Sequence, residues 1–423
     1  MSQVATTFHQ KLETGVTVRQ RVIGVLFLVL AVITGLYFAG AVPPDQTATF
    51  GMVAGGSKQS IDPLVVPAQN SLYFLAVIMA VVGGVQIARG FRSRTNLMLG
   101  VVVLLFVFGF LIWAAAGKSL NLAGLLNTTL IKSVPLTLGA MAGILCERSG
   151  IVNIAIEGMM LSSAMTSTLI ASVTGSLWLG LIAGMLTGGL MALLLAVLSI
   201  RYKTNQVVAG TVINILATGL TSYVSAKFLQ VYQGLNNPGT FKAWPIPLLS
   251  DIPLIGPILF NNNIFVYGMF IMLVVLHVAL FYTKWGLRMR SVGEHPKAAD
   301  TLGINVFRIR YYCTFLGGLV AGFAGAYFTL GSVGRFDEVM TAGRGFISLA
   351  AMIFGNWMPF GSFGAGLLFG FADSLASRLA ILQVAIPSQV LLMAPYIATM
   401  IVLAGVIGRS RPPAAEGVPY EKE

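Results

Sequence analysis

The sequence predicts an all-α polytopic membrane protein with about 12 transmembrane helices. Hydrophobic residues make up 56% of its 423 positions and charged residues only 9%, whereas a soluble domain holds roughly a quarter charged residues. A soluble fold with so few charges could not cover its surface, so lipid is expected to be the main solvent. Glycine is abundant, at 48 residues, as is typical of membrane helices that pack through small residues.

Twelve apolar runs are candidates for membrane spans, each of which needs roughly 20 residues. They lie at 22–41, 71–88, 97–116, 128–146, 155–173, 177–200, 207–229, 264–283, 311–330, 346–357, 363–380 and 389–408. The run at 346–357 is short, and it is either a span or a broken, re-entrant piece. Glycines at every fourth position, such as Gly180, Gly184 and Gly188, favour close packing of helices inside the bundle.

The distribution of positive charge predicts the orientation. Lysine and arginine are enriched in the cytoplasmic loops of membrane proteins. With the N-terminus inside, 18 of the 26 lysine and arginine residues fall on the inner side, most densely in the loop 284–310. The sequence therefore predicts that both termini are cytoplasmic. The net charge of +12 is explained by these loops and does not indicate nucleic-acid binding.

The residues that could carry catalytic chemistry are few. With three histidines in the chain, a His-based metal site or nucleophile is not expected. Cys146 and Cys313 lie in apolar runs and are interpreted as small core residues. The segment around Lys118 resembles a phosphate-binding loop, but Ile112 stands where that motif requires glycine. The sequence therefore predicts no catalytic residue and no metal site in this chain.

The first informative segment, 147–160, interrupts two apolar runs with Glu147, Arg148, Asn153 and Glu157. Charged groups at membrane depth face protein or a water-filled cavity. Glycines flank the polar residues, which favours a broken helix beside a cavity. Glu147 and Arg148 could instead simply end a helix at the inner surface, whereas Glu157 lies far enough into the next run to indicate a pathway residue or a buried network.

The second segment is the inner loop 284–310. Residues 294–302 are predicted to form a short amphipathic helix, with Pro296 near its start and Gly303 after its end. This helix could lie on the membrane surface or insert into a groove of a partner protein.

The third segment, 341–361, combines a short apolar helix with glycine and proline breaks. It again fits an interrupted helix beside a cavity. Asn214 and Asp373 add isolated polar groups inside other apolar runs.

Together these segments resemble the permease subunits of bacterial ABC importers for nucleosides and simple sugars, a family that includes branched-chain amino acid and ribose-type permeases. The segment 147–160 resembles the family signature, 290–304 its coupling helix and 341–361 its glycine-rich segment. The resemblance covers about residues 120–410 and is closer to the nucleoside branch than to ribose-type permeases. His295 departs from the family, which often has Asn at this position.

The resemblance implies a membrane subunit that imports a nucleoside or simple sugar by alternating access, with no cofactor of its own. ATP and Mg²⁺ would be bound by a cytoplasmic ATPase. The other expected partners are a second permease, homologous or identical, an external substrate-binding lipoprotein and the lipid of the bacterial inner membrane. The residues expected to contact the ATPase are Arg290, Gly293, Glu294, His295, Pro296, Ala298, Ala299 and Gly303.

The resemblance also divides the chain. Residues 1–21 are expected to be a cytoplasmic N-terminus, and 22–116 to hold extension helices, an external loop at 42–70 and the first core helix. The resemblance implies a fold of about ten helices, so two N-terminal helices are expected to be additions. Residues 117–410 are expected to form the permease core, and 411–423 a disordered cytoplasmic tail.

Two other functions remain open from the sequence alone. A proton-coupled secondary transporter would use Glu147 or Glu157 as the proton carrier, and an intramembrane enzyme would require paired catalytic residues that are not evident. The sequence does not fix the transported molecule. Its candidate contacts in the pathway are Glu147, Asn153, Glu157, Asn214, Phe346 and Asn356.

Overall fold

The computed structural model describes residues 18–53, 61–382, Met393 and 411–422. Within these residues, ten helices are long and apolar enough to cross a membrane. Each coincides with one of the predicted apolar runs, which confirms the all-α polytopic fold class. The total number of helices and the position of the two termini stay predictions.

Two of the twelve predicted runs are not among these ten spans. The run at 346–357 forms the helix Arg344–Phe354, which at 1.5 Å per residue is only about 16 Å long. That length is too short to cross a bilayer. The run at 389–408 lies outside the residues that the structure describes.

The chain forms two compact units, residues 1–124 with 378–386 and residues 125–377 with 387–423. The first contains helices α1 (Val18–Phe38), α2 (Ala68–Ala88) and α3 (Thr95–Ala114). Phe27 and Met79 are fully buried between these helices.

A small sheet in the first unit includes part of the predicted polar loop 42–70. Strand β1 (Thr47–Gly51) pairs antiparallel with β2 (Leu64–Pro67) and parallel with β3 (Ser119–Asn121). Since β3 lies far along the chain, local sequence patterns gave no signal for this pairing.

The remaining elements lie wholly or mostly in the second unit. They are α4 (Leu122–Glu147), α5 (Ile156–Thr174), α6 (Leu177–Ala196), α7 (Gln206–Val224), β4 (Trp244–Pro245), α8 (Ile255–Leu259), β5 (Asn261–Asn262), α9 (Ile264–Tyr282), α10 (Lys284–Glu294), α11 (Pro296–Thr301), α12 (Val306–Phe328), α13 (Arg344–Phe354) and α14 (Pro359–Ile381). The long loop before α9 is ordered by α8 and the β4–β5 pair.

Helices α4 and α12 form the centre of the second unit. The most apolar stretches of these two spans are 89% and 83% buried, against 39% in α6 and 33% in α7. The peripheral helices therefore present their apolar side chains to lipid. Gly188 on α6 lies against the backbone of Gly318 and Gly322 on α12, which confirms that the glycine repeats pack helices inside the bundle.

Candidate functional site

The polar segment between α4 and α5 is a buried turn. Gly150 turns the chain with a φ of +94°, a conformation that favours glycine. Asn214 on α7 fixes the end of this turn, because its Nδ2 donates to the Ile154 carbonyl at 2.9 Å and its Oδ1 accepts from Gly158 N at 2.8 Å. The break that the sequence predicted here is confirmed, and Asn214 supplies hydrogen bonds that the interrupted backbone needs.

Glu157 holds the N-terminal end of α13. Its Oε1 accepts hydrogen bonds from Thr341 Oγ1 at 2.6 Å and Gly343 N at 2.8 Å, and its Oε2 accepts one from Gly345 N at 2.6 Å. A carboxylate at this end of a helix is stabilised by the exposed N–H groups and by the helix dipole. The side chain is buried, and both of its oxygens are engaged.

Glu147 and Arg148 hold the turn that follows α13. Glu147 Oε2 accepts from Trp357 Nε1 at 2.6 Å, while Nε and Nη2 of Arg148 donate to the Trp357 carbonyl at 3.2 and 3.1 Å. Asn356 and Trp357 have φ values of +56° and +53°, in the left-handed region that residues with side chains rarely adopt. The segment 147–157 therefore binds both ends of the same short helix.

The six predicted pathway residues do not surround one cavity. Asn153 is fully buried, with its Nδ2 3.3 Å from Cys146 Sγ. Phe346, which is 49% exposed, and Asn356 are the two exposed members of the set. Glu147, Glu157 and Asn214 support backbone turns and helix starts. Contact of these six residues with a transported molecule stays a prediction.

A cluster of charged residues that the sequence interpretation did not assemble lies on α4, α13 and α14. Lys132 Nζ is 3.1 Å from Asp373 Oδ1, and Arg344 Nη2 is 3.9 Å from Asp373 Oδ2. The sequence interpretation noted Asp373 as an isolated polar group. The signal that could have found the cluster is Lys132, a cation within the apolar run 128–146.

The coupling region consists of two helices, not of the single helix predicted over 294–302. Helix α10 ends at Glu294 and α11 begins at Pro296, because proline disfavours a helical conformation at the preceding residue. His295 caps α11 through its Nδ1, which accepts from Ala298 N at 3.1 Å. Asn, expected here from the resemblance, is also a preferred N-cap residue, so the substitution keeps the capping function.

The predicted coupling residues fall into three sets by exposure. Glu294, His295, Ala298 and Gly303 are exposed, whereas Gly293 and Ala299 are buried beneath them. Arg290 and Pro296 are partly buried, and the Arg290 guanidinium lies 5.0 Å from the centre of the Phe281 ring. Gly293 packs so closely on the Arg148 carbonyl that a Cβ would overlap it. The exposed residues can meet a partner, while Gly293 contacts the segment 147–157 from the other side.

Residues 411–422 follow a defined path over this region, so the prediction of a disordered tail is wrong for them. Ala415 N donates to the Gly293 carbonyl at 2.9 Å, and Gly417 N to the Gly150 carbonyl at 3.2 Å. The buried Arg310 donates from Nη1 to the Val418 carbonyl at 3.0 Å. The order of the tail could not be predicted from its sequence, because a proline-rich, polar composition is typical of disorder. The residues that stabilise it are all distant in sequence.

Side chains also anchor the tail. Tyr420 is 6% exposed and packs in a cluster with Val292, Ala299 and Val306. Glu416 lies beside Glu147, and burial raises the pKa of the Glu416 carboxyl above its usual range. Lys203 and Glu421 form an exposed ion pair. The tail thus touches the turn after α4, helix α11 and the start of α12.

Comparisons with known proteins identify the family. Residues 125–407 match the model of the branched-chain amino acid transport system permease component. The chain belongs to this family. It is 42% identical to a guanosine ABC transporter permease of Bacillus subtilis, over 70% of this chain and 95% of the relative. It is 41% identical to a nucleoside ABC transporter permease of Lactococcus lactis, over 69% and 95%. A putative glucose ABC transporter permease of Haloferax volcanii is 34% identical, over 62% and 80%. No solved structure matches.

Membership of the family establishes the class of protein. As an ABC transporter permease, the chain is a transport subunit and not an enzyme, and it is a multi-pass integral membrane protein of the bacterial inner membrane. An ABC system also includes an ATPase and a substrate-binding partner. Residues 18–124, with the first three helices, precede the matched region.

Proposed function

We propose that this permease carries a nucleoside across the membrane in an importer driven by a separate cytoplasmic ATPase. The observation that supports this cargo is the identity above 40% to two nucleoside permeases over 95% of their length. In this proposal the chain itself binds no cofactor, since ATP and Mg²⁺ belong to the ATPase. A second permease completes the pathway, and an external lipoprotein delivers the cargo.

The proposed coupling route begins at the exposed residues of α10 and α11. An ATPase that binds Glu294, His295 and Ala298 would move these two helices as it closes on ATP. Gly293 lies directly against the Arg148 backbone, and Arg148 donates to the turn after α13. Movement of the coupling helices would therefore displace α13, because the contacts between them are mostly backbone and cannot be accommodated by side-chain rotation alone.

The geometry gives less support to proton coupling. A carrier carboxyl must exchange its proton with water during each cycle. Glu157 is buried with both oxygens accepting hydrogen bonds, and Glu147 is buried against Trp357. Each side chain binds backbone or an indole that must stay in place.

Uptake of labelled guanosine by cells with and without the gene for this chain tests the proposal. Uptake should require the chain, stop when ATP is depleted, and persist when an uncoupler collapses the proton gradient while ATP is maintained. Uptake that follows the proton gradient and ignores ATP would establish the secondary transporter instead. Energy-dependent uptake of glucose but not of any nucleoside would keep the importer class and overturn the cargo.

A further inference from the structure

The charged cluster of Lys132, Arg344 and Asp373 lies well inside the membrane-spanning part of the second unit. Lys132 lies 15 residues before the end of α4 at Glu147, which places it about 22 Å along the helix axis from that end. The hydrocarbon core of a bilayer is about 30 Å thick. Asp373 is within the span Pro359–Ile381. Charges at this depth are costly and mark ligand or ion pathways when they are not sealed inside protein.

These three side chains are not fully buried inside the protein. Lys132 is 25% exposed, Asp373 30% and Arg344 32%. An exposed charge facing lipid would lose its hydration without compensation. Their open faces must therefore meet water or a polar surface, and both are found along a translocation pathway.

The three residues differ in how completely their polar atoms are hydrogen-bonded or ion-paired. The Lys132 ammonium has three acceptors at 2.8 to 3.1 Å, namely Asp373 Oδ1, the Asp373 carbonyl and Ser377 Oγ. Lysine has three N–H donors, so Lys132 acts as a support that fixes the Asp373 carboxylate.

Arg344 and Asp373 Oδ2 are held more loosely. The guanidinium donates to the Met340 and Thr341 carbonyls at 3.5 and 3.4 Å, distances longer than those of strong hydrogen bonds. Its Nη2 stops 3.9 Å from Asp373 Oδ2, beyond direct hydrogen bonding. The guanidinium also lies 5.6 Å from the centre of the Phe328 ring. The cluster therefore presents a planar donor fork and a carboxylate oxygen side by side, each partly exposed.

We infer that Arg344 and Asp373 bind the vicinal hydroxyl groups of the cargo as it passes through the permease. A hydroxyl both donates and accepts, so a pair of neighbouring hydroxyls can donate to Asp373 Oδ2 and accept from the Arg344 guanidinium. Ribonucleosides and simple sugars share this diol. This inference rests on the proposed function and deepens it by naming the recognised group and the residues that recognise it.

The site is also connected to the coupling region. Arg344 is the first residue of α13, the short helix that Glu157 holds at one end and Arg148 at the other. A shift of α13 would change the separation of Arg344 from Asp373, which lies on a different helix. Cargo affinity would then depend on the state of the ATPase, as alternating access requires.

The test compares guanosine with 2′,3′-dideoxyguanosine, which lacks both hydroxyls. In the assembled transporter, Asp373→Asn should lower the rate of guanosine uptake at limiting concentration about tenfold, the effect of losing a charge-assisted hydrogen bond. Uptake of the dideoxy compound should change less than twofold. The quantity compared between variant and wild type is the ratio of guanosine uptake to dideoxyguanosine uptake. The external receptor is the same in both transporters, so its own preference between the two compounds changes both ratios equally and cancels.

Two further variants separate binding from folding. Arg344→Lys keeps the positive charge but loses the planar guanidinium with its paired N–H donors. It should reduce the ratio of guanosine to dideoxyguanosine uptake, as Asp373→Asn does. Asp337→Asn, which alters an exposed carboxylate paired with Arg335 at 3.0 Å, should leave both rates unchanged. If Asp373→Asn lowers the uptake rates of guanosine and of the dideoxy compound by the same factor, or lowers neither, the inference is overturned. Failure of the wild type to take up guanosine would instead contradict the proposed function.

Discussion

Glu157 Oε2 accepts a 2.6 Å hydrogen bond from Gly345 N, which joins the start of α5 to the first turn of α13. The same carboxylate binds Thr341 and Gly343, and a Cβ on Gly345 would overlap the Glu157 backbone. This contact joins two of the three segments on which the sequence resemblance rests. In this chain the two segments fit each other, because the backbone N–H groups and the glycines at 343 and 345 leave room for the glutamate.

Glu157→Gln should impair both stability and transport. The amide nitrogen cannot accept a hydrogen bond, so at least one buried donor of Thr341, Gly343 or Gly345 would lose its partner. An unsatisfied buried donor costs about 1–3 kcal/mol, which should lower the thermal midpoint of the purified protein by a few degrees. Guanosine uptake should fall with it, since α13 would no longer be fixed at one end.

Glu338→Gln is the matched control, because Glu338 is exposed on the loop before α13. It should leave the thermal midpoint and uptake unchanged. Full uptake and unchanged stability in Glu157→Gln would show that the carboxylate is not required to hold α13.

The important segments could be located from the sequence, but the contacts between them could not. Apolar runs located ten spans, since lipid exposure imposes a composition that can be read locally. The polar residues at 147–157 stand out in the sequence as pathway residues or as a buried network. Which partners they bind could not be predicted, and the structure shows that Glu147, Arg148 and Glu157 hold the two ends of α13. Lys132 and Asp373 are separated by more than two hundred positions. Their pairing depends on how α4 packs near α14, which hydropathy cannot reveal.

Gly293→Ala should uncouple the ATPase from transport. A Cβ at this position would overlap the Arg148 carbonyl, and overpacking of this kind costs about 1–3 kcal/mol. Helix α10 would be pushed away from the segment 147–157, so ATP hydrolysis should continue in the assembled transporter while uptake per ATP falls severalfold. Both rates are measured in proteoliposomes.

Gly364→Ala is the control for this substitution, because the site on α14 has no heavy atom within 4 Å of the added Cβ. It should keep the wild-type ratio of transport to hydrolysis. An unchanged ratio in Gly293→Ala would refute the coupling route through Arg148.

Tyr420→Ala should release the C-terminal tail from the coupling region. The ring is 6% exposed, contacts the cluster of Val292, Ala299 and Val306, and lies 5.3 Å from the Phe307 ring. Removing a large buried aromatic side chain costs about 3 kcal/mol, enough to loosen a segment whose other contacts are hydrogen bonds and exposed ion pairs. The expected result is a lower thermal midpoint and weaker binding of the ATPase, whereas Tyr232→Ala at an exposed site should change neither.

Docking of the tail should also depend on pH through Glu416. Burial beside Glu147 raises the pKa of the Glu416 carboxyl above its ordinary value of 4.5. A raised pKa in the docked state means that docking favours the protonated form. This contribution is complete below pH 4.5 and is lost as the pH rises through the raised value. The tail should therefore dock more weakly as the pH increases over that window.

A spin label on a Val418→Cys variant measures this effect. Val418 is exposed, and the two native cysteines are buried, so the label should react selectively at the new site. Its mobility should increase as the pH rises from 4.5, and Glu416→Gln, which cannot ionise, should remove that pH-dependent increase. A mobility change that survives in Glu416→Gln would assign the pH dependence to another group.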